Sequence, residues 1–179
     1  MRLHLVDYSG HLVRAWVEHF SRFPEVSVDQ GDILAVAEHC VVSPANSYGF
    51  MDGGIDAAYR SFFGHQIERT VQDAVARRPE GHLPVGASMV VRTGHARIPF
   101  LIVAPTMTVP EMVESGNCYR AMRAILRVAG SDSEVGHDVY CPGLGTGVGM
   151  VPPDDAASAM ARAYAEWKNT GHPNSVPNK

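Results

Sequence analysis

Apolar residues recur along the chain with two alternating spacings. Short apolar runs, typical of buried strands, alternate with stretches in which apolar residues fall three or four positions apart, typical of helices with one buried face. The runs predicted as strands are Arg2–Asp7, the segment around Val26 and Val28, Cys40–Val42, Ala87–Val91, Phe100–Ala104 and Val139–Cys141.

Helices are predicted between most of these strands. The predicted helices are Leu12–Phe20, ended by Pro24, a helix from Ile55 that buries Ala58 and Phe62, His65–Arg77, Cys118–Ala129 and Ala156–Trp167. Only the strands Ala87–Val91 and Phe100–Ala104 follow each other without an intervening helix. This order predicts an α/β fold, a three-layer α/β/α sandwich around a central mixed, mainly parallel sheet.

The length of 179 residues suits one domain, which we assign to residues 1–170. Residues 171–179 are polar and contain two prolines, so they are predicted to be a disordered tail. The N-terminus lacks the apolar segment of a signal peptide, and no apolar run is long enough to cross a bilayer. The expectation is therefore a cytoplasmic protein without a membrane partner.

Charge and cysteine content narrow the classes of partner. The net charge is −4 at pH 7, so no general binding of nucleic acid is expected, although backbone amides can still bind a small anion. The three cysteines (Cys40, Cys118 and Cys141) are odd in number and not at metal-ligand spacing, which indicates a reducing compartment. No metal site and no cofactor are predicted.

Two glycine-rich loops are the candidate chemistry. Gly53-Gly54 and the run Gly143–Gly149 each lie between an apolar strand and a helix. The free amides at a helix N-terminus suit a phosphate, so together the loops can hold a diphosphate without a cationic side chain. The alternative is that each loop is only a tight turn. Asp154 and Asp155, in the first turn of the last helix, count against phosphate binding at the second loop.

Other phosphate-binding and catalytic motifs are missing. The sequence has no Gly-x-x-x-x-Gly-Lys-Ser/Thr, which excludes a P-loop NTPase. The second loop has Val148 where a dinucleotide-binding motif requires its third glycine, and it comes late in the chain. No Gly-x-Ser-x-Gly or His-Glu-x-x-His occurs either.

Taken together, the motifs resemble those of macrodomains, a family of ADP-ribose-binding proteins. The matching pieces are Gly31-Asp32-Ile33, Val42–Ser47, Gly53–Asp56 and Gly145–Val148, within a region from Val26 to Trp167. The form of the stretch Ser43–Asp56 resembles the branch often called phage-tail-like macrodomains. The resemblance implies that the partner is ADP-ribose or an ADP-ribosylated substrate.

The resemblance also implies a role for each matching residue. Asp32 would accept a hydrogen bond from the adenine amino group, with Ile33 beside the base. Asn46 would bind the distal ribose, and Asp56 would orient a water at its anomeric carbon. The residues expected to hold the diphosphate are Gly53, Gly54 and Ile55 in the first loop and Gly145, Thr146, Gly147, Val148 and Gly149 in the second.

Each of these roles has a structural alternative. Asp32 can cap the turn that follows it, Asn46 can stabilise its own loop, and Asp56 can stabilise the first turn of its helix. The sequence also departs from the hydrolytic macrodomains, which have glycines at the positions of Met51 and Asp52 and an aromatic residue at that of Gly149.

Three functions follow from the resemblance. The first is an ADP-ribosyl hydrolase of the glycohydrolase type, with Asn46 and Asp56 as catalytic residues. The second is a non-enzymatic reader of ADP-ribose, and the third is a structural role suggested only by the name of the phage-tail-like branch. Tyr48 or Phe50 could supply the aromatic wall that Gly149 does not.

Overall fold

The computed structural model describes residues 1–170, which form one mixed sheet and six helices. The strands are β1 (Arg2–Asp7), β2 (Val26–Gln30), β3 (Cys40–Ser43), β4 (Met89–Arg92), β5 (Phe100–Val103) and β6 (Asp138–Cys141). The helices are α1 (Gly10–His19), α2 (Ile33–Val36), α3 (Gly54–Phe63), α4 (Gln66–Ala76), α5 (Ser115–Ser131) and α6 (Pro153–Asn169).

The sheet has the order β2-β1-β6-β3-β5-β4. All neighbouring strands run parallel except β4 and β5, which pair antiparallel. These two are the strands that the sequence predicts without an intervening helix, and an antiparallel pair needs no crossover. The mixed, mainly parallel sheet predicted from the sequence is confirmed.

Both faces of the sheet are covered, because the strands alternate two sets of buried apolar residues. On β1, Leu3 and Leu5 belong to the core that the sheet forms with α1, α5 and α6. Val6 on β1 and Val41 on β3 belong to the opposite core, formed with α2, α3 and α4. This period of two gives the three layers of the sandwich.

Three predicted boundaries were wrong. Helix α1 ends at His19, before Pro24, because the Phe20 ring packs against Tyr164 and a turn closes from Phe23 N–H to the Phe20 carbonyl at 2.8 Å. Strand β4 begins at Met89 because the Ala87 N–H closes a turn onto Pro84. Helix α2, of four residues, was not predicted at all.

The ends of the chain and the surface of the helices complete the description. No helix within residues 1–170 is both long and apolar enough to cross a membrane. The predicted tail, residues 171–179, lies outside the described residues. The three cysteines are buried and unpaired.

Candidate functional site

A cavity of about 460 Å³ opens where the carboxyl ends of the parallel strands meet. Its walls come from the segments that follow β1, β2, β3, β5 and β6, which is where ligands bind in open α/β sheets. Among the described residues, no lysine, arginine or histidine lines it, and its charged lining residues are Asp7, Asp52 and Asp56. An anionic ligand would therefore depend on backbone N–H groups.

The first glycine loop leads directly into α3 and leaves its N-terminus bare. Gly53 is the N-cap of α3 and adds no side-chain hydrogen bond, and Gly54 has a φ of 56°, in the left-handed region. A Cβ added at either glycine would meet no protein atom within 4 Å. Packing does not require glycine at Gly53, so open space faces the amides at this helix end.

Asp56 lies in the first turn of α3, with 7% of its surface exposed, and lines the cavity. Its Oδ1 accepts a hydrogen bond of 2.6 Å from the Ser43 hydroxyl, at the buried end of β3. Burial raises the pKa of Asp56 to about 7, although the Ser43 hydrogen bond acts in the opposite direction. The site therefore contains a carboxyl group that can exchange a proton near neutral pH.

Asn46 follows β3 and also lines the cavity, but its amide group organises its own loop. Its Oδ1 accepts hydrogen bonds from the N–H groups of Tyr48 at 3.1 Å and Phe50 at 3.3 Å. Its Nδ2 donates to the Phe50 carbonyl at 2.9 Å. The loop-stabilising alternative is thus present in the structure, while one amide hydrogen is left for a ligand.

The second glycine loop contains glycines of two kinds. A Cβ on Gly149 would lie 2.5 Å from the Gly145 carbonyl oxygen, and one on Gly145 would lie 2.9 Å from the Cys118 sulfur. A Cβ on Gly147 would meet nothing within 4 Å. Gly145 and Gly149 therefore allow the loop to fold on itself, whereas Gly147 leaves open space.

The acidic residues after this loop point to different partners from those expected. Asp154 Oδ1 is 2.9 Å from His19 Nε2 on α1, and most of its side chain is exposed. Neither Asp154 nor Asp155 lines the cavity, whereas Pro153 does. The unfavourable proximity to a phosphate that the sequence suggests is reduced accordingly.

Asp32 is placed at the end of the cavity near β2. Its side chain caps α2, with Oδ1 accepting a hydrogen bond of 2.9 Å from the Leu34 N–H. Its neighbours Gly31 and Ile33 line the cavity, and Ile33 is 2% exposed. The second carboxylate oxygen of Asp32 also interacts with the hydroxyl of Tyr8, another lining residue.

Three lining residues were not assigned a site role from the sequence. Asp7 accepts hydrogen bonds from the N–H groups of Ser9 at 2.8 Å and Gly143 at 3.1 Å, which ties the end of β1 to the second glycine loop. Tyr8 follows it and is 68% exposed. The available signal was their position at the carboxyl end of a predicted strand.

The aromatic wall can now be placed. Phe50 lines the cavity and is half exposed, whereas Tyr48 lies against His82 and does not line it. Met51 is buried in the core with α3 and α4, and Asp52 lines the cavity. Within residues 1–170, no group of three His, Cys, Asp or Glu side chains could hold a metal ion.

Comparison with known proteins identifies the family. The model of the Macro domain family matches residues 42–160, and the chain therefore belongs to the macro domain family. An uncharacterized protein of Aquifex aeolicus is 39% identical over 145 residues, covering 80% of this chain and 83% of that protein. One of Aeropyrum pernix is 35% identical over 140 residues, covering 77% and 69%.

Solved structures share the fold at low sequence identity. The macrodomain of Mycobacterium tuberculosis DarG is 22% identical, with a TM-score of 0.65 and coverage of 77% of this chain and 88% of that one. The macrodomain of Oceanobacillus iheyensis with ADP is 19% identical, with a TM-score of 0.67 and coverage of 79% and 75%. Thermosipho africanus DarTG, in complex with ADP-ribose, is 17% identical, with a TM-score of 0.64 and coverage of 76% and 37%.

Proposed function

We propose that the cavity binds ADP-ribose and that the protein hydrolyses the bond between ADP-ribose and a modified substrate. The observation that carries the proposal is Asp56, a buried carboxyl with a pKa of about 7 that opens onto a cavity walled by two glycine loops. The similar structures with ADP and with ADP-ribose support the choice of ligand.

The two loops would hold the diphosphate through backbone N–H groups. The bare N-terminus of α3 at Gly53, Gly54 and Ile55 would bind one phosphate, and the loop from Gly145 to Gly149 the other. Asp32 and Ile33 would receive the adenine, and Asn46 would bind the distal ribose with its remaining amide hydrogen. Phe50 would pack against that ribose.

In the proposed reaction, Asp56 acts as a general base in its ionised form. It accepts a proton from a water as the water oxygen forms a bond to the anomeric carbon of the distal ribose. The bond from that carbon to the substrate atom breaks, and the leaving atom takes a proton from solvent. Ser43 is a positioning residue, because its hydroxyl fixes one carboxylate oxygen and leaves the other for the water.

A non-enzymatic reader is the second candidate. Two observations favour it: the Asn46 amide is largely committed to its own loop, and Gly149 is followed by Met150, which is 65% exposed and confines nothing. A distal ribose held less tightly is compatible with binding but lowers the rate of hydrolysis.

Release of ADP-ribose from an automodified ADP-ribosyltransferase distinguishes these functions. We expect wild type to release free ADP-ribose and Asp56→Asn to release it at least about 100-fold more slowly, because general base catalysis contributes about that much. The Asn variant keeps the acceptor for Ser43, so its affinity for ADP-ribose should be retained. Equal rates in both proteins would refute the role of Asp56. Binding by wild type without any release would establish a reader.

A further inference from the structure

A group of exposed arginines lies outside the cavity, on the outer surface of α5 and α6. This arginine face consists of Arg120, Arg123 and Arg127 on α5 and Arg162 on α6, arranged around the half-buried Tyr119. Helix α5 has three arginines and no acidic residue, whereas the whole chain has a net charge of −4. Positive charge is therefore concentrated on one helix of an acidic protein.

The charges of the arginine face are not neutralised by carboxylates. Across residues 1–170, the ion pairs involve other cationic residues. Arg120 donates to Asn117 Oδ1 at 2.6 Å and Arg127 to the Gly86 carbonyl at 3.2 Å, both neutral acceptors. Like charges three and four residues apart destabilise a helix, so this arrangement works against the stability of α5.

Tyr119 orders two of the guanidinium groups. The central carbon of Arg162 lies 4.3 Å from the centroid of its ring, and that of Arg123 lies 5.7 Å from it. Such cation–π contacts hold planar guanidinium groups in place before a ligand arrives, so less side-chain entropy is lost on binding. The face thus presents ordered, uncompensated donors.

We propose that the arginine face binds the phosphate backbone of a nucleic acid. Arg120 and Arg127 are seven residues apart, about 10.5 Å along the helix axis. A nucleic acid strand carries one charge per ~3.4 Å, so this row spans about three phosphates. A membrane surface fits less well, because adsorption requires an exposed apolar side and that of α5 is buried in the core.

The face begins beside the cavity wall. Asn117, which accepts the hydrogen bond from Arg120, itself donates to the Thr106 carbonyl at 2.8 Å, and Thr106 lines the cavity. Binding of unmodified nucleic acid needs neither ADP-ribose nor turnover. The proposal therefore stands or falls independently of the function proposed for the cavity.

Fluorescence anisotropy with a short, unmodified, labelled single-stranded oligonucleotide tests the proposal. Wild type should bind saturably, with log K falling against log salt concentration at a slope of about −2 to −3, as expected for three or four phosphate contacts. Arg123→Gln combined with Arg127→Gln should weaken binding at least ~10-fold and reduce the slope by about 1. Arg162→Gln, on the other helix, should weaken binding in the same direction.

The matched control removes the same charge from the opposite layer. Arg69 and Arg77 are exposed at α4, and their double Gln variant should bind like wild type. Melting curves confirm that each variant is folded. Absence of saturable binding at low salt, equal loss in both double variants, or tighter binding to phosphatidylserine vesicles than to the oligonucleotide would overturn the proposal.

Discussion

At the scale of single residues, the contact between Ser43 and Asp56 decides the chemistry of the cavity. Burial in the core disfavours the charged carboxylate, and one hydroxyl donor at 2.6 Å compensates only in part. The pKa of Asp56 is therefore raised to about 7, so the group changes charge in the range where a general base is most useful.

This raised pKa implies that ionised Asp56 destabilises the fold. Between its ordinary pKa of 3.8 and about 7, the folded state binds more protons than the unfolded state, so stability falls as pH rises through that window. We predict that Asp56→Asn raises the free energy of unfolding by about 1–4 kcal/mol at pH 8, because the charge is removed. At pH 5, where folded Asp56 is protonated, the two proteins should be nearly equal.

Urea unfolding at both pH values measures this difference. Asp52→Asn is the matched control, since Asp52 belongs to the same loop but its side chain is exposed. It should change stability by the same small amount at pH 5 and pH 8. A variant at Asp56 that is no more stable than wild type at pH 8 would contradict the account of its pKa.

The sequence identifies which residues to examine but not all of their contacts. Asp56 and Asn46 were chosen for their place in a motif, and both line the cavity. The Ser43 hydrogen bond could not be predicted, because it joins the end of a strand to a helix thirteen residues later. Asp7 was missed for the same reason, since its partner Gly143 belongs to a distant loop.

At the scale of elements, α2 has one turn and depends on its cap. Asp32 Oδ1 accepts the Leu34 N–H at the start of the helix, and Arg97 donates to the Leu34 and Ala37 carbonyls at its end, at 2.7 and 2.8 Å. Capping of this kind stabilises a helix too short to form by itself. The sequence did not predict α2 because Arg97 comes from far along the chain.

The cap and the proposed adenine contact of Asp32 can be separated by Asp32→Asn. The amide oxygen of Asn can still cap α2, but its NH₂ group cannot accept a hydrogen bond from adenine. We predict that affinity for ADP-ribose falls about 5- to 30-fold, the loss of roughly one hydrogen bond to a charged group, while the melting temperature stays unchanged. Competition binding against a labelled ligand and a thermal melt provide the two measurements.

Ribose 5-phosphate, which lacks adenine, is the control ligand. Its affinity should be the same for wild type and Asp32→Asn. If ADP-ribose also bound equally to both proteins, Asp32 would be only a helix cap.

The longer elements were predicted well because their patterns are local. Helices α5 and α6 carry clear apolar stripes, and β5 is a continuous apolar run buried on both faces. Boundaries failed where tertiary contacts determine them, as at β4, where Ser88 donates to the Ala124 carbonyl on α5 at 2.9 Å and the strand starts one residue later.

At the scale of the whole molecule, strand order creates the site. The pairing of β6 with both β1 and β3 places the second glycine loop between the segments that follow those strands. The two glycine loops are therefore close in space although far apart in sequence. Periodicity predicts the class of the fold, but the order of strands depends on long-range pairing that periodicity does not encode.

The open positions in these loops allow the cavity to be blocked without disturbing the fold. Gly147 has no protein atom near its missing Cβ, so a Val side chain there should extend into the space proposed for a phosphate. Gly149 provides the contrast, since its Cβ would collide with the Gly145 carbonyl at 2.5 Å and the variant should unfold more readily.

Isothermal titration calorimetry with ADP-ribose, on wild type and Gly147→Val, tests the central claim that this cavity binds ADP-ribose. We predict a single saturable site in wild type and an affinity at least about 10-fold lower in Gly147→Val, a loss of about 1.4 kcal/mol, with the melting temperature unchanged. Absence of binding to wild type would contradict the claim. Equal affinity in the two proteins would place the ligand elsewhere on the molecule.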